Sequence, residues 1–275
     1  MPIFLGALAS IFIGFSDFLG RYGTRRSNAV TATSGAMLGG AVSALIALAL
    51  IPSVFAQRDV LLGVASGLLV GVALALLYEA MATSSAAVAG PLVALGAALI
   101  PLGWDVVRGN RPSGLALVGV IVAISSLLLV MYSPALKGTL RRGIGLSLMA
   151  SVLFGVSFAL VGGAGEDSGV WAPAAQRVTA LVIMLGLATA RGVPRLPPRP
   201  LIGPMLISGT CGSLAIVAFA LGAQQGSLAT VAVSASMFPA VSATLAAVFD
   251  EDTMRWWLMI GSLGVVTGIS LLALS

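Results

Sequence analysis

The sequence predicts an all-α integral membrane protein of about ten transmembrane helices, arranged as two inverted five-helix repeats. Three observations carry that prediction. Of the 275 residues, 59% are hydrophobic and only 8% are charged, and the mean hydropathy is +1.09. Apolar runs of roughly 20 residues, the length a helix needs to cross a bilayer core, recur along the whole chain. The two halves also resemble one another in motif while differing in the charge of their connections.

Composition excludes several classes at once. A soluble domain carries about a quarter charged residues to cover its surface. Fourteen Lys and Arg with nine Asp and Glu cannot wet a globule of 27.5 kDa. The 34 glycines follow no three-residue period, so the chain is not collagen-like. With no His and a single Cys, Cys211, a His-ligated metal site, a Ser-His-Asp triad and an internal disulfide are excluded. No cofactor is expected. The net charge of +5 is scattered over short gaps and offers no phosphate groove, so nucleic acid is not an expected partner. The lipid bilayer is.

Charge, Pro and Gly punctuate the apolar runs. Span 1, about 2–20, ends at Arg21, Arg25 and Arg26; span 2, about 29–51, ends at Pro52. Span 3, about 60–82, follows Arg58-Asp59, and span 4, about 85–106, stops before Arg108 and Arg111. Span 5, about 113–133, lies between Pro112 and Pro134, and span 6, about 143–163, follows Arg141-Arg142. Span 7, about 170–190, is bounded by Asp167 and Arg191, and span 8, about 201–223, follows the Pro- and Arg-rich stretch ending at Pro200. Span 9, about 227–249, ends at Asp250-Glu251, and span 10, about 256–274, follows Arg255. A β-barrel would show alternating segments of about ten residues, whereas Gly63 to Leu77 is apolar on all faces. The N-terminus lacks the basic n-region of a cleavable signal and counts as the first span.

Phe12-Ile13-Gly14-Phe15-Ser16 in span 1 matches Leu153-Phe154-Gly155-Val156-Ser157 in span 6. The stretch from Tyr78 through Ser85-Ala86-Ala87-Val88 to Gly119 runs parallel to that from Ala220 through Ser227-Leu228-Ala229-Thr230 to Gly261. Residues 1–136 and 137–275 thus form two five-span units. Five is odd, so the second copy enters the membrane from the opposite side, an architecture that puts a substrate site near the midplane and supports alternating access. Connection 1 carries Arg21, Arg25 and Arg26, whereas its counterpart, connection 6, carries Glu166 and Asp167. Connection 2 holds Arg58 with Asp59, whereas connection 7 holds Arg191, Arg195 and Arg199. The odd connections hold ten Lys and Arg, the even ones three. The positive-inside rule then puts the odd connections in the cytoplasm and both termini outside the cell (inner) membrane.

The residues Ala220-Leu-Gly-Ala-Gln-Gln-Gly-Ser-Leu-Ala-Thr, then Met237-Phe-Pro239, Phe249-Asp-Glu251 and Gly261 resemble the EamA-type repeat of the drug/metabolite transporter superfamily. Arg177 stands where that family often has an Arg in the second span of the repeat. The first copy departs from the pattern: Gly109 replaces a Glu, Ala97 stands opposite Pro239 and Ala36 opposite Arg177. Within the superfamily the chain resembles the amino-acid and metabolite exporters, among them the YddG type that exports aromatic amino acids. The resemblance implies a secondary transporter and an interior cavity lined by spans 3, 6, 8 and 9.

Candidate residues follow. Tyr78, Phe154, Phe219 and Phe238 fall on those spans, and Gly14, Ser16, Ser157 and Ser236 are the small and polar positions expected beside the substrate. Asp17, Glu79 and Arg177 are charges in or near the spans, where an ion costs at least about 2.5 kcal/mol and therefore faces the interior or an interface. Asp17 or Glu79 would carry a coupling proton or hold a substrate ammonium; Arg177 would hold a structural or a substrate carboxylate. Asp105 lies at a span end and is read as interfacial. Gly90-Pro91, Pro101 and Pro239 free backbone carbonyls within spans 4 and 9, which are expected to kink and gate the pathway. Small residues at helical spacing (Gly6-Ser10-Gly14, Gly35-Gly39, Gly63-Gly67-Gly71, Gly264-Gly268) permit close helix packing.

These features favour export of amino acids, aromatic or otherwise apolar, or of related metabolites, with no enzymatic activity. A lipid-modifying enzyme would need a nucleophile with a nearby base, and none is visible. A sugar-phosphate carrier would want convergent Lys and Arg, where the interior offers one Arg; that carrier and a drug transporter of the same superfamily are the alternatives. There is no Gly-x-x-x-x-Gly-Lys-Ser/Thr pattern for ATP.

Overall fold

The computed structural model describes residues 1–83, 86–107 and 139–249, with isolated positions 109, 114, 118, 119, 121, 122, 125, 126, 260, 263, 264, 267 and 271. Spans 5 and 10 therefore lie outside the continuously described residues. The described chain is helical: α1 (Pro2–Arg26), α2 (Ala29–Leu50), α3 (Gln57–Thr83), α4 (Ala86–Val107), α5 (Thr139–Gly162), a 3-10 turn (Glu166–Ser168), α6 (Trp171–Ala190), α7 (Arg199–Gln224), α8 (Leu228–Ala235) and α9 (Phe238–Phe249). Six of these contain stretches long and apolar enough to span a membrane, and Ala89–Trp104 and Leu228–Ser242 are shorter apolar helices. This is a multi-pass membrane protein.

Local chemistry sets the ends. Helix α1 runs past its predicted boundary to Arg25 and Arg26, because cations are favourable against the negative end of a helix dipole. Arg26 also stacks over the Tyr22 ring at 3.8 Å. The Asn28 side chain accepts from the Thr31 N–H at 2.9 Å and starts α2, and Ser227 does the same for Thr230 at the start of α8. Such caps satisfy donors that the first helical turn leaves without a partner.

The prolines of spans 4 and 9 sit differently in their helices. Helix α4 continues through Pro91 and Pro101, so neither breaks it. Span 9 is instead divided: the chain turns at Ser236-Met237, and Pro239 occupies the second position of α9, where its missing N–H removes no helical bond. Gly90 packs on that proline; a Cβ at Gly90 would lie 3.1 Å from Pro239 Cβ.

Helix packing runs mostly between the first four helices and the rest. Helix α1 lies on α7, α8 and α9, just as α5 lies on α3 and α4; α2 lies on α7 as α6 lies on α3. Helices α2 and α6 also meet, as do α4 and α9. Small residues permit these approaches. Gly63 and Gly67 of α3 abut the Ala172 and Gln176 carbonyls of α6, and Gly39 of α2 abuts the Leu206 backbone of α7.

The connections fall at two ends. The turn at Ser27-Asn28 meets connection 191–198, where the Thr31 hydroxyl donates to the Pro194 carbonyl at 2.7 Å. About 33 Å away along α2, at 1.5 Å per residue, connection 51–56 meets connection 163–170. There the Val54 N–H donates to the Asp167 carbonyl at 2.9 Å, the Val170 N–H to Ser53 Oγ at 3.0 Å and the Gly165 N–H to Asp59 Oδ1 at 3.1 Å.

Candidate functional site

Two serine pairs pin the helices around the centre of the bundle. Ser66 on α3 and Ser157 on α5 hold their hydroxyl oxygens 2.6 Å apart, and the Ser66 hydroxyl also reaches the Ser157 carbonyl at 3.0 Å. On the other side, the Ser208 hydroxyl of α7 donates to the Ser16 carbonyl of α1 at 2.8 Å. The Tyr78 hydroxyl lies 3.2 Å from Ser208 Oγ. Its ring rests on Gly20, a contact that any side chain at that position would block.

Next to these pairs is a narrow cavity of about 40 Å³. Its walls are apolar: Leu74 and Leu77 from α3, Val93 and Ala97 from α4, Ile216 from α7. An aromatic wall is formed by Phe154, Phe158, Phe219 and Phe238, with the Phe158 and Phe219 rings stacked at 4.8 Å between centroids. The polar lining is confined to Ser16, Asp17, Gln176 and Arg177.

These polar groups are fixed from behind. Gln176 is fully buried and donates through Nε2 to Ser66 Oγ at 2.8 Å and Ser157 Oγ at 3.1 Å. The Arg177 guanidinium donates to the Gly212 carbonyl. Glycine at 212 lets α1 and α6 converge on α7, since a Cβ there would sit 3.1 Å from Ser16 Oγ and 3.6 Å from Arg177 Nη2. Asp17 is 1% exposed and Arg177 7%. Asp17 Oδ2, Gln176 Oε1 and Arg177 Nε have no hydrogen-bond partner, and Asp17 and Arg177 form no ion pair with each other.

The structure thus brings Ser16, Asp17, Phe154, Arg177, Phe219 and Phe238 to one cavity. Tyr78 and Ser157 stand behind it as hydrogen-bonding supports. Gly14 is elsewhere, packed on Val241 of α9, and the Ser236 hydroxyl bonds the Ala232 carbonyl of its own turn. Glu79 lies apart, in a second cleft near Asn28 and Arg191, 3.4 Å from Arg142 and partly exposed. Among the described residues no group of His, Cys, Asp and Glu could hold a metal. Sequence reasoning missed Gln176, Phe158, Ser66 and Ser208. Ser66 and Ser208 stand 142 residues apart, the same offset that aligns Tyr78 with Ala220, and that register could have exposed them.

Residues 141–274 match the model of the EamA-like transporter family. The match lies in the C-terminal half of the chain. Members of that family are transporters of the drug/metabolite type, not enzymes. The fold also matches a solved crystal structure of a protein at 17% identity, covering 96% of this chain and 98% of that one, with a TM-score of 0.67. No curated protein matches the chain.

Proposed function

We propose that this protein is a secondary transporter of the cell (inner) membrane that exports small organic solutes by alternating access. Its substrates are amino acids, aromatic or otherwise apolar, or related metabolites. The observation that carries this reading is the cavity itself: apolar and aromatic walls with a few polar residues among them, lined from both halves of the chain. Ligand sites of that kind combine a hydrophobic lining with a few placed polar groups.

Two further features support it. The packing of α1 on α7–α9 mirrors that of α5 on α3 and α4, as expected if residues 1–136 and 137–275 are inverted five-helix units meeting at the substrate site. Arg21, Arg25, Arg26, Arg142, Arg191, Arg195 and Arg199 gather toward one end, while Glu166 and Asp167 lie at the other. The basic end is then cytoplasmic, with the N-terminus outside. The approach of Gly90 on α4 to Pro239 on α9 supports a gating role for these two helices. A phosphorylated sugar is disfavoured, because one guanidinium faces the cavity where a phosphate ester wants several.

The test is transport by purified protein in liposomes without ATP. Uptake of labelled phenylalanine or leucine above that of empty liposomes is the expected result. Uptake equal to empty liposomes across a broad amino-acid and metabolite panel overturns the reading.

A further inference from the structure

Three residues that line one apolar cavity each keep a buried polar atom without a partner: a carboxylate oxygen of Asp17, the amide oxygen of Gln176 and the Nε–H of Arg177. A buried polar group without a partner forfeits the free energy of its lost hydration, and in a membrane there is little water to restore it. Asp17 and Arg177 would relieve each other by pairing, yet they do not touch. Each is held by its own support: Arg177 by the Gly212 carbonyl, the backbone beside Asp17 by Ser208. Gln176 spends its amide N–H groups on Ser66 and Ser157, which turns its oxygen to the remaining role of acceptor.

We infer that Asp17, Gln176 and Arg177 form a receptor for a zwitterion, with an α-ammonium at Asp17 and Gln176 and an α-carboxylate at Arg177. The inference rests on the transport reading above and narrows it to free α-amino acids. Charge complementarity is the reason. One carboxylate and one guanidinium make the lining neutral overall, so a ligand that carries both charges leaves neither protein charge uncompensated. An amine leaves Arg177 buried and unanswered, and a carboxylic acid leaves Asp17 so; a site built to bond a group rejects the analogue that lacks it. The aromatic wall of Phe158 and Phe219 then receives the side chain.

The experiment measures binding of L-phenylalanine, 2-phenylethylamine and 3-phenylpropanoate to the purified full chain, alongside liposome transport of the same three and of leucine. Phenylalanine is expected to bind at least about tenfold more tightly than either analogue, the value of one charge-assisted hydrogen bond. Asp17→Asn should lower phenylalanine affinity toward that of 3-phenylpropanoate while leaving the latter unchanged. Arg177→Gln should do the same toward 2-phenylethylamine. Because Arg177 also ties α6 to α7, that variant can fail to fold, and the analogue series on the natural protein then decides. An analogue that binds within about threefold of phenylalanine overturns the zwitterion receptor. If such an analogue is also transported, the transporter reading survives without it; if none of the solutes is bound or moved, both fall.

Discussion

Ser66 Oγ and Ser157 Oγ lie 2.6 Å apart across the α3–α5 contact, and Ser208 repeats the arrangement on Ser16 across α1–α7. Ser208 follows Ser66 by 142 residues and Ser157 follows Ser16 by 141, close to the offset of the proposed repeat. Their backing partners differ: Gln176 completes one pair and Tyr78 the other. That difference makes the cavity lining asymmetric, with Gln176 and Arg177 contributed from one side only.

Loss of the Ser66–Ser157 pair should weaken the fold measurably. Ser157→Ala removes one acceptor of Gln176 and one partner of Ser66, and interhelical hydrogen bonds in membranes contribute about 0.6–2 kcal/mol. Unfolding in detergent should show a loss of that size. A double-mutant cycle with Ser66→Ala should be non-additive; strict additivity would mean that the serines do not interact.

Close backbone approach should tolerate no side chain at Gly209. A Cβ there collides with the Ala36 carbonyl of α2, so Gly209→Val forces α2 and α7 apart at a cost of about 1–3 kcal/mol. Gly186, with nothing within 4 Å of its would-be Cβ, is the control. Gly186→Ala should leave the melting temperature unchanged or raise it. Equal behaviour of the two variants would refute the packing.

The aromatic wall should matter for binding as well as folding. Phe219 is 1% exposed and stacked on Phe158, so Phe219→Ala should destabilise by about 3–5 kcal/mol. Phe158→Leu keeps most of the volume and should retain the fold, yet bind phenylalanine more weakly than leucine relative to the natural protein. Titration of both ligands against both proteins reads this directly.

Glu79 should prove dispensable. Its partner Arg142 is mostly exposed, and solvated ion pairs contribute about 0–1 kcal/mol. Glu79→Gln should therefore change stability by no more than that and leave transport intact in liposomes. Loss of transport would instead tie the second cleft to the cycle.

Sidedness can be read with single cysteines in a Cys211→Ser background. Cysteines at Ser27 and Gly192 should be labelled from one side of the membrane, and cysteines at Ser53 and Asp167 from the other. Labelling of Ser27 and Asp167 from the same side would contradict the two-ended arrangement of the connections.

Composition and span length alone determined that this chain lives in a bilayer as helices, because a chain so poor in charge has no other solvent. The residues around Met237-Phe238-Pro239 and Gly261 likewise carried the family signal. The expected sidedness of the bundle rests on the charges of connections 1, 2, 6 and 7. Which residues face the cavity was decided by tertiary structure. In lipid the outside of a helix is as apolar as its inside, so hydrophobic periodicity cannot tell a wall from a packing face: Phe158 and Phe15 look alike in sequence, yet one is buried at the cavity and the other is exposed. Glu79 and Asp17 looked alike as charges at span ends; only the crossing of α1 with α7 buried one of them and left the other at the rim. Gln176 carried no charge to mark it, and its role arises from two serines contributed by helices far apart in the chain.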